Sequence, residues 1–489
     1  KPGTAGGNNR GPGGANANKG GPGGANANKG GPGGANANKR GPGGANANKG
    51  GPGGANANKG GPAGANKGGP GGANRHQPAG SRQVALKNGG HATFRKDGKV
   101  REIRTAHGMK IEHGMHGGRH IESMHNGRRV VSMGRRGGYS QRAYYNHGGR
   151  TYVQRTYYVG GQRYAYGYRS YYYGGYPYYG YAPSYYYGPA YYGWAYNPWP
   201  APVYYNWGWA GQPWYGYYGP YYQPYPAYPY ASLWLTDYLL AANLRLAYEA
   251  AQAAESGELV PQAIQNASAD EIAALWSTDP LIAANLEAAY GPYMLGAAAP
   301  AKGNATGLSN EVKQAIADEM KNEIAAEKEA AANGQKDAAP SGDQVPAALD
   351  PKIRIFVVSS DEDLTTSDGA ECALTAGDVV SRTTDTPDDD KMVDAVVKSS
   401  KKDECAVGAT VGVSVDDLQE MHNQLRIQMD AGLKELADKQ GKNGLPAAPD
   451  TKTQAGEVPA PTPDANVESD LKQQKTEADQ AEAEAQQSN

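Results

Sequence analysis

The chain holds 36 tyrosines and two phenylalanines, and every tyrosine lies between Tyr139 and Tyr293. Inside that span, residues 170–236 carry no charge, and Tyr, Gly, Pro and Trp make up most of the stretch. A segment so long and so free of charge has few places to go. It cannot cross a bilayer as a helix, because eleven prolines and nine glycines interrupt it and each break would strand backbone groups in hydrocarbon. The same residues forbid regular helices and strands in water, so 176–229 reads as extended, turn-rich chain. A core that needed only volume would take Phe freely. Near-exclusive use of Tyr means that the hydroxyl is wanted and that the rings sit with one end wet. This composition predicts a cohesive surface, not a reaction pocket, with Trp194, Tyr196, Trp199, Trp207, Trp209, Trp214, Tyr215, Tyr217 and Tyr218 as its contact residues. Its prolines oppose a simple cross-β zipper.

The formal net charge of −1 conceals a partition. Residues 1–230 carry 28 Lys/Arg against four acids (Asp97, Glu102, Glu112, Glu122), a balance of +24. Residues 231–489 carry 20 Lys/Arg against 45 Asp/Glu, a balance of −25. A chain this bipolar meets either an anionic polymer through its basic half or the acidic half of the next copy; the near-equality favours self-association.

Cys372 and Cys405 are the two cysteines, 33 residues apart, with no CxxC and no zinc spacing. In an exported chain the pair is most simply one disulfide, worth roughly 2–4 kcal/mol; in a reducing compartment it would be two buried thiols. The sequence starts at Lys1 with no apolar signal core before it. We therefore expect a secreted or cell-surface chain after leader removal, without a transmembrane segment.

At 489 residues the length would allow about three domains. However, 69 Gly, 33 Pro and a mean hydropathy of −0.73 leave much of the chain unable to offset its ordering entropy by burial. The expected fold is multi-part, mostly β plus α. Residues 1–83 form a low-complexity arm in which five copies of GPGGANANK, each followed by Gly or Arg, fill 11–60. Glycine does not fall at every third position, so a collagen triple helix is excluded. One cation per unit (Lys19, Lys29, Lys39, Lys49, Lys59) makes a basic comb, on either a flexible spacer or an ordered polyproline-II-like repeat.

Residues 84–175 read as an antiparallel β meander of seven or eight strands, punctuated by turn pairs such as Asn126-Gly127, Gly148-Gly149 and Gly174-Gly175. With few aliphatic residues, one face must be covered by the Tyr-rich segment, 176–231, or by another molecule. Residues 232–334 are helical. A helical pattern fills 233–254, Ser268 and Glu271 form a capping box, Asp279-Pro280 opens another helix, and Val312, Ile316, Met320 and Ile324 make an apolar stripe. A linker, 335–348, leads to 349–440, where five short strands and a helix suggest a small disulfide-bonded SH3-like barrel with a C-terminal helix. The tail, 441–489, is rich in Pro, Ala, Glu and Gln and is expected to be disordered, with at most nascent helix at 467–487.

No GxSxG, HExxH, P-loop or Rossmann fingerprint occurs, so neither an enzyme nor a cofactor is expected. The runs Asp361-Glu362-Asp363 and Asp388-Asp389-Asp390 lack EF-hand spacing and read as solvated loops before calcium sites. Between His107 and His125 lie eight His and Met residues, and imidazole with thioether suits copper. Its core would be His113, Met115, His116 and His120; the plainer reading is a polar strand face with His in turns. Arg interleaved with Tyr between Arg128 and Arg169 would suit nucleic acid, but the expected export and the lack of an RNP-like motif count against it. Anionic polysaccharide would use the same charge.

Residues 191–244 read YYGWAYNPWPAPVYYNWGWAGQPWYGYYGPYYQPYPAYPYASLWLTDYLLAANL. This resembles a group of uncharacterised exported bacterial proteins sharing an AYNPW…WGWAGxPWYGYYG…SLWLTDYL block, and LSNEVKQAIADEM (308–320), AGDVVSRTTDTPDDDKM (376–392) and SVDDLQEMHNQLR (414–426) are similar to the rest of that group. The resemblance covers roughly 139–450 and leaves the repeats outside. It implies a shared exported architecture and carries no activity. The function expected is a secreted or cell-surface structural protein that self-associates into a fibre or matrix; the alternative is a monomeric adhesive protein for anionic polysaccharide.

Overall fold

The computed structural model describes residues 78–256, 307–333 and 344–488, apart from 116, 135, 136, 160, 402 and 403. The decapeptide repeats, the expected helices around 268–276 and 279–290, and 335–343 of the linker lie outside the described residues. The chain divides into two units, Lys1–Gly69 and Pro70–Asn489, and the fold below is that of the second. It is mixed β and α.

Ten strands follow one another in space as they do in sequence: β1 (Arg82–Ala85), β2 (Gly90–Phe94), β3 (Val100–Thr105), β4 (Lys110–His113), β5 (Arg119–His125), β6 (Arg128–Ser132), β7 (Gly138–His147), β8 (Arg150–Val159), β9 (Gln162–Tyr173) and β10 (Tyr176–Ala182). All pairings are antiparallel. Three hairpin loops have positive φ at both of their residues: Asn126 and Gly127 at 49° and 75°, Gly148 and Gly149 at 58° and 76°, Gly174 and Gly175 at 58° and 84°. Two-residue loops of that hand match the twist of the strands they join, which is why Asn-Gly and Gly-Gly stand there.

The sheet's cover comes from where composition argued for disorder. Helix α6 (Val467–Ser488) lays Ala478, Ala481 and Ala485 on Ala92, Phe94, Ile103, Ile111 and Ile121. Low apolar content reads as an inability to form a core, yet a helix close to a sheet needs only small residues. Buried Gln474 donates to the Val130 carbonyl (2.7 Å) and to Ser123 Oγ (3.0 Å). Upstream, β18 (Thr453–Ala455) pairs with β11 (Tyr185–Tyr187). Two glycines clear the way: a Cβ at Gly138 would stand 2.6 Å from Leu471 Cδ2, and one at Gly167 would stand 2.5 Å from Val458 Cγ1. Gly167→Val is expected to lift this strap at a cost of about 1–3 kcal/mol, seen as faster limited proteolysis within 441–489. An unchanged cleavage pattern would refute the close approach.

Residues 183–256 and 307–333 supply β11, α1 (Pro189–Tyr196), α2 (Pro213–Tyr218), α3 (Ala231–Ser256) and α4 (Asn310–Asn333). Contrary to expectation, the Pro-rich stretch does contain helix. Pro189 and Pro213 each open one, at the first turn, where a missing N–H costs nothing. Next come β12 (Ile355–Val357), β13 (Glu362–Thr366), β14 (Glu371–Leu374), β15 (Val379–Arg382), β16 (Met392–Ser399) and β17 (Thr410–Ser414), then α5 (Val415–Lys439). These strands form one antiparallel sheet ordered β12-β15-β16-β17-β13-β14. It has six strands where five were expected, because the acidic run hides β13. Cys372 and Cys405 form a disulfide, with Cα atoms 4.9 Å apart. No helix among the described residues is long and apolar enough to cross a membrane.

Candidate functional site

The uncharged segment folds onto its own chain. Of the nine residues expected to face another molecule, Trp199, Trp207, Trp209, Trp214 and Tyr218 are buried, while Trp194, Tyr196 and Tyr215 are half-buried against the same cluster. Tyr217, at 44% exposure, is the outward one of the nine. Trp207 stacks on Trp209 (ring centroids 4.5 Å apart) and on Trp234 (4.7 Å), and Trp234 stacks on Tyr238 (5.2 Å). Three of the hydroxyls that rule out Phe show internal partners. Tyr191 donates to the Leu433 carbonyl, Tyr181 to Asp430 (2.7 Å) and Tyr228 to Asp237 (2.7 Å).

That last contact belongs to a charge pair sealed inside the aromatic cluster. On α3, Asp237 is wholly buried, and Lys313 Nζ of α4 lies 2.8 Å from its Oδ1. The ammonium also donates to the Gln223 carbonyl (2.7 Å) and sits 3.8 Å from the centre of the Tyr225 ring. On the other oxygen, Asp237 accepts from the Tyr225 amide and from Tyr228, whose own hydroxyl accepts from Trp207 Nε1 (2.6 Å). Burial pushes the Asp237 carboxyl up against the pull of Lys313, and pulls the Lys313 ammonium down. This pair fixes how α3, α4 and the 207–228 loop meet.

A second polar seam joins α4 to α5. Glu319, Glu323 and Glu327 stand four apart on one helix and His422, Arg426 and Asp430 four apart on the other, so each trio lines one face. Glu323 meets His422 Nε2 (3.0 Å) and Arg426 (3.1 Å), and Glu327 meets Arg426 (3.2 Å). Burial works against the Glu323 charge, but His422 and Arg426 more than offset it and hold the carboxyl at about 2. One ligand atom each from Glu319, Glu323 and His422 lies within 4.8 Å of the others. That donor set suits a transition metal, but the Arg426 guanidinium already supplies positive charge to Glu323 and Glu327, so the seam reads as an ion-paired joint between the two helices. Sequence reasoning missed it, although the EVKQAIADEMKNEIAAE pattern places the three glutamates on one stripe.

Glu319 is the exception in the seam. Its Oε1 is buried with no hydrogen-bond partner, and burial with the nearby Glu323 charge pushes its carboxyl up to about 8. A raised carboxyl holds in the folded state a proton that the unfolded chain has released. Stability is therefore lost as pH rises from about 4.5 towards 8, by up to roughly 1.4 kcal/mol per unit. Glu319→Gln is expected to flatten this slope, so that its unfolding midpoint gains on the parent from pH 5 to pH 8. Parallel curves would show that Glu319 ionises normally.

Among the described residues of the expected copper cluster, His113, Met115 and His120 are not brought together. His116 lies outside the described residues. On β4, His113 points towards α6 and meets Glu482 (3.1 Å). His120 pairs across the ladder with Glu112, whereas His113 pairs with Arg119, so alternation puts the two imidazoles on opposite faces. Met115 is exposed, and its amide donates to Asp363 (2.8 Å). The run 361–363 is not a solvated loop either, because Glu362 and Asp363 open β13 and Asp363 also holds Arg95 (2.6 Å).

The two oppositely charged halves meet within one chain. Arg101 pairs with Glu371 (2.9 Å), Arg119 with Asp479 and Glu482 (2.7 Å each), Arg128 with Asp470 (2.9 Å), and Arg155 with Glu420 (2.6 Å). Arg155 is the deepest of these, its guanidinium 4.1 Å from the centre of the Tyr168 ring. Comparison of the chain with protein families, with curated proteins and with solved structures returned no match.

Proposed function

We propose that this is a secreted or cell-surface, non-catalytic binding protein whose folded body is self-contained and whose basic repeat arm engages an anionic polymer, such as an acidic polysaccharide. The supporting observation is the internal pairing of the basic sheet with the acidic C-terminal part. Residues 1–77 have no such partner in their own composition, carrying ten Lys/Arg and no acid, while the remainder carries 38 Lys/Arg against 49 Asp/Glu. Cations repeating every ten residues stand about 30 Å apart when extended. That spacing suits many weak contacts along a long polyanion better than one tight contact with a compact ligand.

Affinity electrophoresis of the whole protein in gels containing alginate tests this reading. Retardation that fades with salt, and that is strongly reduced when Lys19, Lys29, Lys39, Lys49 and Lys59 are all replaced by glutamine, is the expected result. Equal migration with and without alginate would overturn it. Self-association into a fibre or matrix is the second reading, favoured by Tyr172, Tyr176, Tyr204 and Tyr217, which remain 44–80% exposed. Electron microscopy over a salt series tests that one, since filaments without added polymer would support it.

A further inference from the structure

A lysine, an aspartate and a glutamate meet where β15 begins and β16 ends, in an arrangement that an ion pair alone does not need. Lys401 Nζ lies 2.7 Å from Asp378 Oδ1 and 3.9 Å from Glu404 Oε2. The Asp378 side chain is wholly buried and those of Lys401 and Glu404 are 8% and 7% exposed. Glu404 is in turn hydrogen-bonded to the Asp378 carboxyl. We propose that Lys401 and Asp378 condense into an intramolecular isopeptide bond, with Glu404 as the proton carrier.

The surroundings favour amide formation over a resting ion pair. The Lys401 ammonium donates to Thr375 Oγ1 (2.8 Å) and to the Thr375 carbonyl (3.3 Å), which aims it at the carboxyl. Asp378 is fixed from the other side by the Thr375 amide (2.7 Å) on Oδ2 and by the Tyr221 hydroxyl (3.2 Å) on Oδ1. Glu404 is oriented by the Thr375 hydroxyl (2.6 Å) and by the Lys401 amide (3.0 Å). Rings of Tyr218 and Tyr221 stand 5.8 and 5.6 Å from Nζ, which limits access of water. Burial pushes the Asp378 carboxyl well up against the pull of Lys401, which favours the protonated, electrophilic form over the carboxylate. The other sealed pair, Asp237 with Lys313, makes a useful contrast: its carboxylate is bonded to the Tyr225 amide and the Tyr228 hydroxyl, neither of which is a carboxyl group.

The step balances without a co-reactant. At the start the two carboxyls share one proton, and Lys401 is an ammonium. Glu404 takes a proton from Nζ, the freed lone pair attacks Asp378 Cγ, and a tetrahedral centre forms. Its C–O bond then breaks, and the oxygen leaves as water carrying the acid's proton and a second proton from nitrogen. The products are an amide N–H, one water and a protonated Glu404. Cys405 follows Glu404 and is tied to Cys372, so the segment would be pinned to the sheet by two covalent links.

Intact mass of the full, reduced and denatured chain is the deciding measurement. The expected value is one water below the sequence mass, with a branched peptide joining the fragments that carry Asp378 and Lys401, and with no tryptic cut at Lys401. Lys401→Arg keeps the cation and should restore the full mass; Glu404→Gln should leave most of the chain uncondensed. Full sequence mass in the unaltered protein overturns the proposal whether or not either variant folds. A missing water mapped to another residue overturns it equally.

Discussion

Lys313→Met is expected to destabilise the folded body by about 3–5 kcal/mol, the usual cost of removing one member of a buried ion pair. The loss arises because Asp237 is left wholly buried with its Oδ1 facing the vacated ammonium site. Adding Asp237→Asn to the same chain should return much of it. Asparagine's carbonyl oxygen still accepts from the Tyr225 amide and the Tyr228 hydroxyl, and no charge remains to be solvated. Urea unfolding of the parent, both single variants and the double variant gives the coupling, expected to exceed about 1 kcal/mol. Strict additivity would mean that the pair is solvated in solution. Acidity gives an independent reading. With Lys313 gone, burial raises the Asp237 carboxyl further, so the folded state keeps a proton that the unfolded state loses. The penalty of Lys313→Met must then shrink as pH falls towards 4 and grow as pH rises above it.

Asp237 also shows why only part of this protein is legible in its sequence. Periodicity and turn chemistry are local, and they found antiparallel strands with their hairpins (ten over 82–182, where seven or eight were expected over 84–175), the helix over 233–254 and the apolar stripe of α4. The disulfide followed from cysteine count. What failed was the inference from composition to location. An uncharged run of Tyr and Trp has the make-up of an adhesive surface, but the same rings fill a core where hydroxyls such as those of Tyr191, Tyr181 and Tyr228 find a carbonyl or carboxylate. Those partners, Leu433, Asp430 and Asp237, lie 242 and 249 residues from Tyr191 and Tyr181, and 9 residues from Tyr228. The tail failed for the complementary reason. Its alanines and acids look solvated until the glycines at 138 and 167 are seen to leave room for it. Likewise, +24 against −25 is as well met by folding the chain back on itself as by a neighbour. Net charge alone cannot separate those two outcomes.

Trp207→Ala separates them by experiment. Trp207 stacks on Trp209 and Trp234, and its Nε1 donates to the Tyr228 hydroxyl that holds Asp237. Deleting a buried indole costs about 3–5 kcal/mol through lost burial and the cavity that remains. Because the ring is covered by its own chain, this loss must appear at any protein concentration. Tyr204→Ala removes a ring that is 80% exposed and should leave stability within about 0.5 kcal/mol. Thermal unfolding at micromolar and at hundred-fold higher concentration reads both. If the aromatic segment instead buried itself between molecules, the Trp207→Ala deficit would vanish on dilution, since the parent would then have lost the same contacts. Among the described Tyr and Trp residues, Tyr172, Tyr176, Tyr204 and Tyr217 are the exposed ones, and substituting those four should weaken association through this segment while leaving the unfolding midpoint in place.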